Sequence, residues 1–333
     1  MDPLTHGMLG AVASQGFAKK RELGLAAIIG FAAAMLPDAD TFIQSAEDSL
    51  LTLEYHRQFT HALIFIPIGA LVASTVMWFV FRHRVPFVRL YIYAMLAYAT
   101  AGLLDACTSY GTQLLWPFST ERIAWRIVAI IDPVVTFTLI AAVVLAVVRK
   151  SRAPAIIGLA LVICYLLLGL MQRNQVEQTA YALAEQRGHL VEKIEVKPSM
   201  GNILLWRSVY LSDRNYYIDA IRIGLFSDIK IYPGGAVRAF DISETFLGLE
   251  ESSVLYNDIQ RFNTYSSGFL VLHPNLPTVI GDIRYAMLPN GLQPLWGIET
   301  DGKRPDKHAK YRDIRVVNEE VLNTFLGMLF GQQ

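Results

Sequence analysis

Histidine and aspartate residues stand at the ends of several apolar segments that are far apart along the chain. They are His6, Asp38, Asp40, His56, His61 and Asp105. Ionisable side chains at membrane depth are costly, so several that converge on one level indicate a functional site. Imidazoles and carboxylates are also the ligands that Zn²⁺ takes in proteins. The pattern therefore predicts a divalent-metal centre of one or two ions, with Zn²⁺ as the metal.

The first carboxylate pair lies in the segment Leu36-Pro37-Asp38-Ala39-Asp40. Pro37 lacks a backbone donor and disturbs the preceding helix, which favours irregular backbone. On an extended segment, side chains two residues apart point to the same side, so both carboxylates could reach one ion. The alternative is that the pair caps a helix and is solvated at the membrane exit.

Two histidines, His56 and His61, precede an apolar span, and Arg57 lies between them. Residues five apart do not share a helical face, so the pair fits a site that straddles a loop and a helix start. The alternative is two interfacial histidines bonded to lipid headgroups.

Asp105 ends an apolar helix, where a carboxylate is unfavourable unless a cation offsets it. A bound metal ion would supply that cation.

Composition places the chain in the membrane class. Of its 333 residues 53% are hydrophobic and 17% are charged, against about 25% charged in soluble domains. The formal net charge of +0 gives no support for a nucleic-acid partner. Cys107 and Cys164 lack the spacing of a metal knuckle, so we interpret both as packing thiols.

The apolar residues form five membrane-length segments and a weaker sixth, Pro3–Ala18. The five are Gly24–Phe42, His61–Phe81, Phe87–Leu104, Ile127–Val148 and Pro154–Met171. At about 1.5 Å rise per residue these segments predict a membrane α-helical bundle of about five to six spanning or half-spanning helices.

Basic residues predict the orientation of this bundle. Tight clusters at 19–21, 82–89 and 149–152 follow every second segment, so they indicate cytoplasmic turns. The N-terminal tip and everything after Arg173 are then expected outside the cytoplasm. The same assignment places all the histidines and aspartates of the predicted centre on one face of the membrane.

The chain changes character after Met171. Residues 1–173 form the predicted membrane domain, 174–189 a helical connector, and 190–333 an extracytoplasmic α+β domain. Alternating runs such as 216–226 and 282–288, with turn signals such as Pro233-Gly-Gly, predict an antiparallel sheet. Helices are predicted at Glu250–Asn263 and Asn318–Phe330.

An ordered set of motifs resembles a known family. The motifs THG, LPDAD, HRQFTH, LLDACTSYGTQLLWPFS and IIDP, with the later GDIRY and LWGIE, are similar to the YdjM family of bacterial inner-membrane, metal-dependent hydrolases. The resemblance implies an integral membrane protein related to zinc phospholipase C-like phosphoesterases. It also implies a histidine four residues before Asp105. This chain has Ala101 there, so we expect a weakened site.

These patterns together predict a membrane-embedded, metal-dependent hydrolase that acts on a phospholipid or lipid-linked phosphoester at the outer face of the inner membrane. The six histidines and aspartates would hold the metal, and Asp40 or Asp105 would act as general base. Arg57 would bind the anionic headgroup of the lipid. The alternatives are a divalent-metal or proton transporter and an envelope assembly factor without catalysis.

Overall fold

The computed structural model describes residues 1–224 and 228–332. The chain forms two compact units. The first, the helical unit, comprises Met1–Ile43, Tyr55–Met171 and Met200–Ile203, and the second, the sheet unit, comprises Gln44–Glu54, Gln172–Ser199 and Leu204–Gln333.

Helices account for most of the chain up to Gln186. They are α1 (Pro3–Phe17), α2 (Leu23–Met35), α3 (Leu51–Tyr55), α4 (Ile66–Phe81), α5 (Phe87–Ala106), α6 (Pro133–Val148) and α7 (Ala153–Gln186). Short 3₁₀ helices lie at Pro37–Phe42, Phe59–His61 and Leu63–Phe65.

Four helical segments of the described chain are long and apolar enough to cross a membrane. They are Leu23–Phe42, Leu63–Phe81, Phe87–Ala106 and Ala153–Gln186. The shorter α1 and α6 have 15 and 16 residues, below the roughly 20 of a full span. The predicted membrane bundle followed by an antiparallel-sheet domain is confirmed.

Helix α6 begins six residues later than the predicted segment at Ile127. The Asp132 carboxylate accepts hydrogen bonds from the backbone N–H groups of Val134 at 3.0 Å and Val135 at 3.3 Å. Pro133 takes the first helical position, where its missing N–H is not needed. Asp132 is thus an N-cap, as the Asp-Pro pair indicates.

The predicted connector at 174–189 is not a separate element. Helix α7 runs without a break for 34 residues, so the composition change near Met171 falls inside one helix. Residues 44–54, predicted to belong to the membrane domain, are part of the sheet unit. The reason is that Leu50 is fully buried there with Leu255 and Phe262.

Helices α1 and α2 approach each other closely through small residues. A methyl group added at Gly30 would overlap the Gly10 carbonyl oxygen and Ser14 Oγ, and one at Gly10 would overlap Ala34 Cβ. Helices in a bilayer associate mainly by such close backbone packing, since lipid tails are as apolar as leucine.

The sheet unit contains two four-stranded antiparallel sheets in sequential strand order. The first sheet has β1 (Lys193–Pro198), β2 (Leu205–Ser212), β3 (Asn215–Arg222) and β4 (Lys230–Arg238). The second has β5 (Leu270–His273), β6 (Leu276–Asp282), β7 (Trp296–Glu299) and β8 (Lys310–Asp313). The remaining helices are α8 (Ile242–Thr245), α9 (Val254–Tyr265) and α10 (Glu319–Phe330).

Two strand predictions need correction. Pro233-Gly-Gly is not a turn but a bulge inside β4, where the register with β3 shifts. As an edge strand, β4 tolerates a proline that cannot donate a ladder hydrogen bond. The predicted strand at 282–288 is mostly a turn, because the Asp282 carboxylate accepts from Arg284 N at 3.1 Å. The end of the predicted strand 216–226, at 225–226, lies outside the described residues.

The contact between α1 and α2 generates a testable prediction. We expect Gly30→Ala to destabilise the protein by about 1–3 kcal/mol, because the added methyl forces the two backbones apart. Gly24→Ala in the same helix is the control, since a Cβ there meets nothing within 4 Å and alanine is the better helix former. The measurement is thermal unfolding in detergent; equal melting temperatures for the two variants would contradict the close packing.

Candidate metal centre

The predicted residues come together in the helical unit, although they are carried by separate elements. His6 lies in α1, Asp38 and Asp40 in the 3₁₀ helix Pro37–Phe42, His56, Arg57 and His61 in the segment before α4, and Asp105 near the end of α5. Among them His6, Asp40, His61 and Asp105 are at most 2% exposed. Asp38 and His56 are half-buried.

The inner part of this cluster consists of two imidazoles and two carboxylates. His61 Nε2 lies 3.4 Å from Asp38 Oδ1 and 3.2 Å from Asp105 Oδ2. His6 Nε2 lies 3.0 Å from Asp105 Oδ1. Donor atoms of His6, Asp38 and Asp105 all lie within 4.8 Å of one another. We call His6, Asp38, His61 and Asp105 the inner group.

The donor set and its spacing fit a divalent metal. Two atoms bound to one tetrahedral ion at about 2.0–2.2 Å are roughly 3.3–3.6 Å apart, close to the separations around His61 Nε2. Within the described chain, His61 Nε2 and Asp105 Oδ2 are buried without a hydrogen-bond partner. Buried polar atoms are rarely left in that state, and a shared cation would satisfy both.

A cationic group already lies at these donor atoms. The amino group of Met1 forms a buried ion pair with Asp105 Oδ1 and lies 3.1 Å from His6 Nε2. The position between the carboxylate and the imidazole is therefore suited to positive charge.

Asp40 has a different environment from Asp38. Its Oδ2 accepts from Thr60 Oγ1 at 2.7 Å and from Arg57 N at 2.9 Å, and lies 3.2 Å from His61 Nδ1. Its Oδ1 lies 2.8 Å from His56 Nδ1. Both carboxylate oxygens are thus engaged by the segment that carries the histidines.

The prediction of an extended backbone at Asp38 and Asp40 was wrong, and the observed conformation explains their different environments. The segment is a 3₁₀ helix, in which residues two apart are separated by about 240° of rotation. The carboxylates therefore leave the helix in different directions. Asp38 lies at Nε2 of His61 and Asp40 at its Nδ1 side.

Arg57 is held rigidly beside the inner group. Its backbone is in the left-handed region at φ 62°, fixed by the bond from its N–H to Asp40 and by the bond from Gln113 N to its carbonyl at 2.9 Å. Its Nη1 donates to Thr108 Oγ1 at 2.9 Å, and its Nη2 lies 3.0 Å from Asp105 Oδ1. Arg57 as a whole is 5% exposed.

Supporting residues place the histidine segment against α5. Tyr98 donates to the Thr60 carbonyl at 2.8 Å, and a Cβ at Gly102 would overlap the His61 carbonyl oxygen. Sequence reasoning missed Thr60, Tyr98 and Gly102. Thr60 could have been found from its place beside His61, but the other two carry no local signal.

One further histidine, His308, belongs to a second polar group in the sheet unit. His308 Nδ1 lies 2.9 Å from Asp258 Oδ2, and with Asp48 these residues form a second group of potential ligands. There Arg261 bonds both Asp48 at 2.9 Å and Asp258 at 3.0 Å. We interpret that group as an ion-pair network of the sheet unit.

Comparison with known proteins identifies the family. The family model described as YdjM inner membrane protein matches residues 1–176, more than half of the 333 residues. The chain belongs to the YdjM family. The match contains every residue of the candidate centre. With four helical segments long enough to cross a bilayer, this YdjM-family chain is an integral protein of the inner membrane.

The chain is also similar to a protein of Bacillus subtilis. The protein YfhP of Bacillus subtilis (strain 168) is 23% identical over 194 residues, which are 57% of this chain and 57% of that protein. The similarity thus spans little more than half of either chain. No solved structure matches the chain.

Proposed function

We propose that the protein is a membrane-embedded, metal-dependent hydrolase. The observation that carries this proposal is the inner group, in which two imidazoles and two carboxylates from four separate helical elements come together. Such a ligand set suits Zn²⁺. A hydrolytic zinc ion lowers the pKa of a bound water and polarises the attacked group.

The contacts favour a narrower ligand set than the six predicted residues. His6, Asp38, His61 and Asp105 would hold the ion, while Asp40 and His56 would support these ligands from outside. A histidine that binds a metal through Nε2 commonly donates its other N–H to a carboxylate, which fixes the ring and raises its basicity. Asp40 lies at the Nδ1 of His61 in that position.

The catalytic roles change accordingly. Asp40, predicted as a general base, has both oxygens engaged, so we assign it the orientation of His61. Asp38 keeps 21% of its side chain exposed and is the carboxylate placed to take a proton from an attacking water. Arg57 offers the guanidinium that binds the anionic part of the substrate.

The surroundings of the centre favour an amphiphilic substrate. Phe42 and Phe118 are each 83% exposed and belong to segments that follow site residues in the chain. Large apolar side chains at this level suit contact with lipid. A phospholipid or lipid-linked phosphoester would bring its phosphate to the metal and leave its chains in the bilayer.

The basic clusters support a location of this site and of the sheet unit outside the cytoplasm. We expect Glu251→Cys, in a Cys164→Ser background, to react with a membrane-impermeant maleimide in intact spheroplasts. Lys20→Cys should react only after the membrane is broken, because it lies in a predicted cytoplasmic turn. The reverse labelling pattern would contradict the outer-face assignment.

Hydrolysis is tested with purified protein in nanodiscs that contain defined phospholipids or lipid-linked phosphates. We expect zinc-dependent release of a water-soluble product, abolished by a chelator and reduced at least about 100-fold by Asp105→Asn. His83→Ala, outside the centre, is the control. Zinc binding without hydrolysis across the lipid panel would favour transport or assembly over catalysis.

Ala101 offers a test of the weakened-site expectation. It lies one helical turn before Asp105 and is 1% exposed, so a histidine there would point along the same face. We expect Ala101→His to raise zinc content and turnover above wild type. Ala101→Leu is the control for added bulk. Equal zinc content in all three proteins would place position 101 outside the site.

A further inference from the structure

We infer that the centre binds one divalent ion rather than two, and that the guanidinium of Arg57 takes the place of the second cation. This inference rests on the proposed function, because it concerns the metal of the same site. The ligand types alone leave the number of ions open, since histidines and carboxylates occur in both one-metal and two-metal hydrolases.

The first argument is the charge of the buried cluster. Three carboxylates, Asp38, Asp40 and Asp105, face one divalent ion and one guanidinium, which together balance to zero if the imidazoles are neutral. Without Arg57 the cluster would carry a net negative charge, and with a second divalent ion it would carry an excess of two positive charges. Uncompensated charge is expensive at membrane depth. A bound ion would displace the Met1 amino group, which contacts the same donor atoms.

The second argument is the occupation of the carboxylate oxygens. In a two-metal centre the ions are about 3.5–4 Å apart, so their shared carboxylate must offer an oxygen to each. Asp105 Oδ2 lies 3.2 Å from His61 Nε2, and its Oδ1 lies 3.0 Å from both His6 Nε2 and Arg57 Nη2. Asp40 has no oxygen to offer, because His56, Arg57 N and Thr60 engage both. The guanidinium thus already supplies a cation at Asp105 Oδ1, so a second ion would have to share that oxygen with it.

The third argument is the fixed placement of Arg57. Its left-handed backbone, its bond to Thr108 and its burial hold the guanidinium at the centre. Among the described residues its buried Nε has no hydrogen-bond partner. A second metal in a hydrolase stabilises negative charge on the substrate, and a guanidinium with an unused donor can do the same for a phosphate oxygen.

The test is zinc binding by the full-length protein in detergent, measured by calorimetry and by elemental analysis. We expect wild type to saturate at one zinc per chain. Arg57→Gln should bind that zinc about tenfold or more tightly, because a nearby positive charge has been removed. Arg57→Lys keeps the charge and should stay within about threefold of wild type. Arg122→Gln is the matched control, since Arg122 lies over the same Tyr110 ring as Arg57.

A second measurement separates charge from folding. Inorganic phosphate should bind the zinc-loaded wild type at least about tenfold more tightly than zinc-loaded Arg57→Gln, with Arg57→Lys between them. Two zinc ions per wild-type chain, or unchanged zinc and phosphate affinities in Arg57→Gln, would overturn the inference alone. Weaker zinc binding by Arg57→Gln with an unchanged melting temperature would also overturn it. If wild type binds no zinc, the proposed function fails and the inference with it.

Discussion

The need to compensate buried charge determines which segments of the helical unit must lie next to one another. Asp105 has no exposed surface and lies near the end of an apolar helix, where its charge is opposed by the helix dipole. Such a carboxylate is tolerable only if cations or hydrogen-bond donors surround it. His6, His61 and Arg57 all approach it. The paths of α1, of the histidine segment and of α5 are therefore constrained to meet at one carboxylate.

The 3₁₀ helix after α2 gives two chemically identical residues, Asp38 and Asp40, different positions around His61. If the backbone were extended, Asp38 and Asp40 would compete for the same position. The turn at Pro37 instead directs Asp38 to Nε2 of His61 and Asp40 to its Nδ1. Asp40 also fixes the backbone of Arg57. One carboxylate therefore fixes the orientation of both the His61 imidazole and the Arg57 guanidinium. The orientation of these side chains thus depends on a residue that lies outside the inner group.

The sequence predicted which residues converge better than it predicted what each one does. The basic clusters and the lengths of the apolar segments predict the membrane face on which a residue lies. This prediction was enough to group His6 with Asp105. The different roles of Asp38 and Asp40 depend on a local 3₁₀ conformation that no spacing rule reports. Likewise, the bulge at Pro233 depends on β4 being an edge strand, which is known only once the sheet order is known.

Close helix packing is what turns these separate residues into one site. His6 can reach Asp105 because α1 packs closely on α5 at Gly10, where an added Cβ would lie 3.1 Å from Ala97 Cβ. The His61 carbonyl rests on Gly102, three residues before Asp105, so any side chain there would lift the histidine away from its carboxylate. A donor set with gaps near 3.3 Å tolerates displacements of only a few tenths of an ångström before metal geometry is lost. The glycines therefore belong to the centre as much as its histidines and aspartates do, because they fix the distances between these side chains.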